Sequence, residues 1–241
     1  MLQGDVVDAA GQWPDGKPTD DSMGDRGPDS GFKLRGVSWN VAGVATREWD
    51  NFFRSISRSV QWHILFLQEF SGYNGQLRRY SSDGHWILAA DPKPGQRRMA
   101  IVVHKDVIQY VVENSFVHEG RVVWVDLDLP DMYVRCICAH LFPSGDMAPY
   151  RESVDNLDKA ISGIPSGGGV VIGVDVQDSL GIFDSDDQLY GEYVGKCVTK
   201  ASGAKGQTFM DFMVEHDLWA TNTFAEGVAP WTCHYFCKAE P

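Results

Sequence analysis

Three features of many proteins are missing from this chain of 241 residues, and each absence narrows the function. No run approaches the roughly 18 apolar residues that a membrane span needs. The first residues, MLQGDVVDAAGQWPDG, lack the basic and then apolar order of a signal peptide. Cysteine is also scarce. The chain has five cysteines, which is an odd number, and it is too large to depend on disulfides. These absences indicate an intracellular protein without a membrane segment, in which Cys136 and Cys138 are ordinary reduced residues.

Positive charge is scarce as well, since 21 Lys and Arg face 33 Asp and Glu and leave a net charge of −12. Proteins that bind nucleic acid tightly usually carry clustered basic residues. Part of the negative charge is local, because residues 1–30 hold seven Asp against Lys17 and Arg26. The composition therefore disfavours tight binding to a polyanion, but it permits phosphate chemistry at a cation held by carboxylates.

The chain divides into a leader and one domain. Residues 1–30 are rich in Gly, Asp and Pro and lack apolar periodicity, which predicts a disordered acidic leader. Residues 31–241 show no second linker, and 43% apolar residues suffice for a packed core. Runs with the spacing of strands alternate with amphipathic helices near 46–60, 150–161 and 209–216. We predict an α+β sandwich of two packed, mainly antiparallel sheets flanked by helices, in which the runs between 85 and 141 form consecutive antiparallel strands.

Polar side chains able to bind a hard cation end three of the predicted buried strands. They are Asn40 after LRGVSW, Glu69 after HILFLQ and Asp175 after GGGVVIGV. Mg²⁺ prefers oxygen ligands and needs only one or two carboxylates from the protein. Taken singly, Glu69 or Asp175 is also explained as a residue that ends a strand or caps a helix. The joint pattern favours a cation site at a sheet edge.

The motifs S-W-N at 38–40, L-Q-E at 67–69 and V-V-I-G-V-D-V-Q at 170–177 resemble successive motifs of the endonuclease/exonuclease/phosphatase superfamily. The likeness covers residues 34–232 and implies a DNase I-like fold. Its phrasing, above all Ser-Leu-Gly at 179–181 and L-W-A-T-N-T-F at 218–224, is most similar to the endonuclease domain of non-LTR retrotransposons. That resemblance implies a DNA-nicking phosphodiesterase with a nuclear location.

The resemblance also implies roles for individual residues. Glu69 is expected to be the main ligand of Mg²⁺ or Mn²⁺, with Asn40 assisting, and Asp175 to orient or deprotonate the attacking water. Gln177 stands where the family usually has Asn, and His140 where relatives stabilise the phosphate or the transition state. Two further residues are candidates for the substrate backbone, although strand or helix surface would also explain them: Arg121 and Tyr150.

One part of the family pattern is not found in the sequence. The family continues with an Asp on an Ile-Asp-Tyr-like strand and a final Ser-Asp-His segment, whereas this chain ends at TCHYFCKAEP. Neither His234 nor His216 has the setting of a substitute, since no Asp precedes His234 and His216 falls in a predicted helix. We therefore expect a domain truncated at its C-terminus, either a fragment of a longer product or a degenerate copy, with little or no hydrolytic activity as 241 residues. Two alternatives stay open: a fold remnant that only binds, and a phosphatase for lipid or inositol phosphates.

Overall fold

The structure of the chain is a computed structural model. It describes residues 6–8, 32–41, 48–70, 77–90, 98–117, 121–143, 145–181, 188–195, 202–221 and 234–238. The strands are β1 Val6–Asp8, β2 Arg35–Asn40, β3 Ile64–Phe70, β4 Leu77–Tyr80, β5 Trp86–Ala89, β6 Arg98–Val103, β7 Val111–Val117, β8 Val122–Leu129, β9 Met132–His140, β10 Gly169–Asp175, β11 Leu218–Ala220 and β12 His234–Lys238. The helices are α1 Trp49–Ser59, α2 Met147–Ile161, α3 Gln188–Gly191 and α4 Ala204–Glu215.

The strands form two sheets of six. Sheet A has the order β1-β2-β3-β6-β5-β4, and sheet B has the order β11-β12-β10-β9-β8-β7. Within these sheets β2 runs parallel to β3 and β9 parallel to β10, while the other neighbours are antiparallel. The predicted class, two mainly antiparallel sheets flanked by helices, is confirmed.

The apolar pattern of each element explains the layers. The inner faces of the two sheets meet through residues such as Phe66, Ile101 and Val125. Helix α1 covers the outer face of sheet A, because its buried residues Trp49, Phe52, Phe53 and Ile56 recur at helical spacing. Helices α2 and α4 cover sheet B. The two reduced cysteines of β9 are fully buried between the sheets, as predicted for Cys136 and Cys138.

One sequence prediction, that the runs between 85 and 141 pair consecutively, is wrong at the step from β6 to β7. Strand β6 pairs with β3 and β5 in sheet A, whereas β7 pairs with β8 in sheet B. Residues Ile108–Tyr110, expected to begin a strand, form a 3-10 turn instead. Ile108 and Tyr110 are partly buried against the core between the sheets, at the point where the chain passes from sheet A to sheet B.

The polar contacts between the sheets lie close to the ends of β3 and β9. Gln68 is fully buried, and its Nε2 donates to Ser38 Oγ at 2.9 Å and to Cys138 Sγ at 3.6 Å. Gly173 of β10 faces Phe66 of β3, and a Cβ at Gly173 would lie 2.3 Å from the Cβ of Phe66. The glycine thus permits the close approach that brings the ends of β3 and β10 together.

Two findings concern the leader and the membrane. Val6–Asp8, inside the segment expected to be disordered, forms β1 and pairs antiparallel with β2 at the edge of sheet A. The two adjacent valines suit a strand, and the pairing satisfies backbone groups that an edge leaves open. The rest of the leader lies outside the described residues. None of the helices in the described part of the chain has the length and hydropathy needed to cross a bilayer.

Candidate active site

The candidate site lies at one end of the two sheets, where four neighbouring strands end. Asn40 is the last residue of β2, and Glu69 precedes the last residue of β3, which runs parallel to β2. His140 and Asp175 end β9 and β10 and are direct partners in that parallel pair. Parallel neighbours end on the same side of a sheet, so each sheet supplies two side chains to this end.

Asp175 is held by hydrogen bonds to both of its carboxylate oxygens. Asn40 Nδ2 donates to Oδ2 at 3.0 Å, and this hydrogen bond joins the end of β2 in sheet A to the end of β10 in sheet B. The backbone N–H of Gln177 donates to Oδ1 at 3.1 Å. The Asp175 side chain is nevertheless 22% exposed, so water reaches a carboxylate whose orientation is already fixed.

The amide of Gln177 reaches the imidazole of His140. Gln177 Nε2 lies 3.0 Å from His140 Nε2, and a side-chain amide nitrogen can only donate. With this pairing His140 Nε2 accepts, and the ring proton of the neutral imidazole is on Nδ1. His140 is buried, and the same Nε2 lies 3.8 Å from Asp175 Oδ2. Gln177 is one methylene longer than the Asn that the resemblance led us to expect, and its amide contacts a second site residue, His140.

A β-bulge turns Glu69 toward the site. The pairing of β3 with β6 shifts register between Gln68 and Phe70, and Glu69 has a φ of 57°. Positive φ is uncommon for a residue with a side chain and marks local strain at functional sites. Gln177 has a similar φ of 59°, so two of the five site residues lie in the left-handed region.

The donor set fits a divalent cation. One ligand atom from each of Glu69, His140 and Asp175 lies within 4.8 Å of the other two. Two carboxylates with the neighbouring amide oxygen of Asn40 are the hard oxygen donors that Mg²⁺ and Mn²⁺ accept. The sequence analysis predicted this cluster, and the structure brings all five residues together: Asn40, Glu69, His140, Asp175 and Gln177.

The two residues suggested as substrate contacts have different surroundings. Arg121 is half-buried beside the site, where its Nη1 donates to the carbonyl oxygen of His140 at 3.2 Å. Burial lowers the pKa of Arg121, but an arginine keeps its charge at neutral pH. Tyr150 is fully buried in the first turn of α2, and its hydroxyl donates to the carbonyl oxygen of Val176 at 3.1 Å. Because no part of Tyr150 reaches the surface, its position supports the loop after β10 instead of contacting a substrate.

Two residues beside the site were missed by the sequence analysis. Asp178 Oδ2 accepts from the backbone N–H of Gly206 at 2.9 Å and so ties the start of α4 to the loop after β10. Lys205, in the first turn of α4, donates to the carbonyl oxygen of Pro143 at 3.0 Å. The only local signal was the pair Gly203 and Gly206 around Lys205, which marks a close backbone approach but not the partner. His216, which the sequence analysis rejected as a substitute for the missing catalytic segment, pairs instead with Asp158 of α2 at 3.1 Å.

The fold is also found among solved structures. No known family profile matches the chain, and no curated protein matches it in sequence. An endonuclease/exonuclease/phosphatase family protein from Leptotrichia buccalis is 12% identical, with a TM-score of 0.53, over 86% of this chain and 88% of its own. An AP endonuclease from Archaeoglobus fulgidus is also 12% identical, with a TM-score of 0.53, over 85% of this chain and 86% of its own. The endonuclease domain of TRAS1, a telomere-specific non-LTR retrotransposon, is 14% identical, with a TM-score of 0.50, over 85% of both chains.

The chain therefore has the DNase I-like fold of the endonuclease/exonuclease/phosphatase superfamily, as its motifs predicted. It spans about half, 47%, of the Caenorhabditis elegans TDP2 structure that it matches at 22% identity, over 59% of this chain and with a TM-score of 0.42.

Proposed function

We propose that this protein is a phosphodiesterase that depends on Mg²⁺ or Mn²⁺ and nicks DNA in the manner of a retrotransposon-type endonuclease. The observation that carries the proposal is the assembly of two carboxylates, an imidazole and two amides from both sheets at one edge. Glu69 and Asp175, with the neighbouring amide oxygen of Asn40, would hold the cation, which when bound would supply polarisation of the phosphodiester and offset the charge on its oxygens.

In this proposal Asp175 orients and deprotonates the attacking water. Its two hydrogen bonds, from Asn40 Nδ2 and Gln177 N, prevent rotation of the carboxylate while leaving further lone pairs free for water. Fixing the base before the substrate binds removes an orientational cost from the reaction. Glu69 holds the cation, and the amide oxygen of Asn40 assists it.

Gln177 and His140 face the phosphoryl group. The Gln177 amide donates to an oxygen on which negative charge develops, without adding a charge of its own. The 3.0 Å contact with Gln177 keeps the His140 ring in place, with His140 Nε2 as the acceptor. Arg121, which donates a hydrogen bond to the backbone of His140, contacts the substrate backbone in this proposal.

DNA is the substrate favoured by likeness to the two nucleases with this fold, an AP endonuclease and the endonuclease domain of a non-LTR retrotransposon. The sequence motifs at 175–181 and 218–224 resemble those of non-LTR retrotransposon endonucleases, which agrees with this choice. We also propose a nuclear location, because such an enzyme acts on chromosomal DNA.

The first prediction tests the site with supercoiled plasmid and Mg²⁺. The family's Ser-Asp-His segment is not found in these 241 residues, so we expect only slow conversion of supercoiled plasmid to the nicked form, and we expect Glu69→Gln and Asp175→Asn each to lower that rate further, toward the background without protein. Asp158→Asn is the matched control, since this carboxylate pairs with His216 on the helical layer.

Nicking that survives both site substitutions would contradict the proposed cluster. Calorimetry with Mn²⁺ separates the alternatives when wild type does not nick. Mn²⁺ binding lost in Glu69→Gln, without nicking by wild type, would identify a cation-binding remnant in place of an enzyme.

A further inference from the structure

Two positively charged side chains contact the same short segment beside the candidate site. This segment, His140–Pro143, begins with the last residue of β9 and is called the rim segment here. Arg121 Nη1 donates to the carbonyl oxygen of His140 at 3.2 Å, and the guanidinium carbon lies 4.6 Å from the ring centre of Phe142. Lys205 Nζ donates to the carbonyl oxygens of Phe142 at 3.3 Å and Pro143 at 3.0 Å.

Lys205 is tied to the site from two directions. The residue after it, Gly206, donates its N–H to Asp178, which directly follows Gln177 in the chain. The Lys205 ammonium lies 5.4 Å from the ring centre of the buried Tyr150, which supports the same loop. The helix start, the loop after β10 and the rim segment thus hold this ammonium near the candidate site.

In the part of the chain that the structure describes, the positive charges of Arg121 and Lys205 are not neutralised by carboxylates. Among the ion pairs formed within the described ranges, Arg121 and Lys205 have no acidic partner, and carbonyl oxygens leave the charges in place. Both side chains are half-buried, so neither charge is wholly screened by water. In a chain with a net charge of −12, two uncompensated cations beside an acidic site are a local exception.

We propose that Arg121 and Lys205 form a phosphate-binding lip that holds the backbone of a nucleic-acid strand next to the bond to be cleaved. This inference rests on the proposed function for the position of the cleaved bond. Two separate cations match a chain of phosphates, since a small phosphodiester presents only one. The lip selects for a polyanionic strand and reads no sequence, because phosphate contacts position a nucleic acid without distinguishing its bases.

The second prediction is a change in the salt dependence of DNA binding. Binding of two 20-base-pair duplexes of unrelated sequence is measured by fluorescence anisotropy with Ca²⁺ at several salt concentrations. Each phosphate contact contributes about 0.9 to the slope of log K against log salt. We expect Lys205→Met to reduce the slope by about 1 and to weaken both duplexes equally, whereas Lys205→Arg retains the slope.

Two further variants complete the experiment. Lys105→Met removes the same charge next to the opposite end of β3, and we expect it to retain the wild-type slope. Arg121→Met should lower the slope as Lys205→Met does, and Arg121→Lys keeps the charge in case the loss of packing on Phe142 prevents folding.

The outcomes separate the lip from the proposed function. A slope that is unchanged in Lys205→Met and in a folded Arg121 variant would overturn the lip, and so would an equal fall in Lys105→Met. Binding to phosphatidylcholine vesicles containing phosphatidylinositol 4-phosphate that needs Lys205, with an unchanged duplex slope, would overturn it in favour of a lipid substrate. Because the assay measures binding, a protein that never nicks plasmid but shows the slope change would retain the lip and lose only the proposed function.

Discussion

At residue 69 the backbone adopts a φ of 57° while the side chain is a glutamate, a combination that costs about 1–2 kcal/mol for a residue with a Cβ. The register shift between Gln68 and Phe70 creates this conformation. Without the bulge the period of two would point residue 69 to the face opposite its neighbours Gln68 and Phe70. The strain therefore accompanies the position of the carboxylate in the site.

The third prediction compares glycine with alanine at this residue. Both Glu69→Gly and Glu69→Ala remove the carboxylate, so their difference in unfolding free energy reports the backbone alone. We expect Glu69→Gly to be more stable by about 1 kcal/mol in urea unfolding with EDTA, because glycine accepts positive φ. The same two substitutions at the exposed strand residue Asp128 should give the opposite order. Alanine equal to or better than glycine at residue 69 would show that no strain is stored there.

Sheet A has site residues at one end of its strands and three buried or partly buried histidines at the other. His63 precedes β3, His85 precedes β5 and His104 follows β6, which places all three at the end opposite Glu69. The rings of His85 and His104 are 4.5 Å apart, and each is 4.8 Å from Trp62. The pKa of His63 and of His85 is lowered from 6.5 to about 4, mainly by burial and next by the charge of Arg35 at His63 and of His104 at His85.

The fourth prediction follows from the sign of these shifts. A histidine whose folded pKa is below its unfolded value binds fewer protons when folded, so its contribution to stability is complete above pH 6.5. That contribution is lost as the pH falls from 6.5 toward about 4. His85→Asn keeps a side-chain acceptor for the N–H of Lys105, which lies 3.2 Å from His85 Nδ1. We expect the wild type to lose more unfolding free energy than this variant between pH 6.5 and 4.5.

The measurement is urea unfolding at each pH, and the comparison with His85→Asn removes the effect of carboxylates common to both proteins. Identical pH profiles would contradict the neutral state of His85. Asp83 and Asp106 oppose the downward shift, so substituting either one should steepen the loss.

The elements also show how much of the site the sequence predicts. Asn40, Glu69 and Asp175 were identifiable because apolar runs end in them, and the period of a strand is a local property. The hydrogen bond from Asn40 to Asp175 was not predictable from the spacing of residues in the sequence, since it depends on how the two sheets pack. Lys205 was missed for the same reason, because its partners are carbonyl oxygens 62 and 63 residues away. The change of sheet after β6 accompanies the partial burial of Ile108 and Tyr110 against the core between the sheets, which is likewise not a local property.

At the scale of the whole molecule, the site depends on the distance between the two sheets. Gly173 lies against Phe66 with no room for a methyl group, and Asp175 is two residues further along β10. The close-packed interior resists the displacement that an added methyl group would demand. Sheet separation at Gly173 therefore controls whether Asn40 reaches Asp175.

The fifth prediction tests this dependence. Gly173→Ala should lower the unfolding free energy by about 1–3 kcal/mol through overpacking and should reduce nicking as the two sheet edges separate. Gly169→Ala, on the same strand, meets only ordinary contacts at 3.9 Å from Val134 and 4.0 Å from Tyr133, so its stability should change little. Urea unfolding of both variants checks the order, and equal stabilities would mean that the sheets accommodate the methyl group freely.

The hydrogen bond between Asn40 and Asp175 joins residues 135 positions apart in the chain. A ribosome that adds about 5–20 residues per second needs roughly 7–27 s to go from the first partner to the second. During that interval the nascent protein contains Glu69 and, later, His140, but it lacks the aspartate that completes the cluster. The cluster therefore assembles only after Asp175 has been translated and sheet B can pack against sheet A.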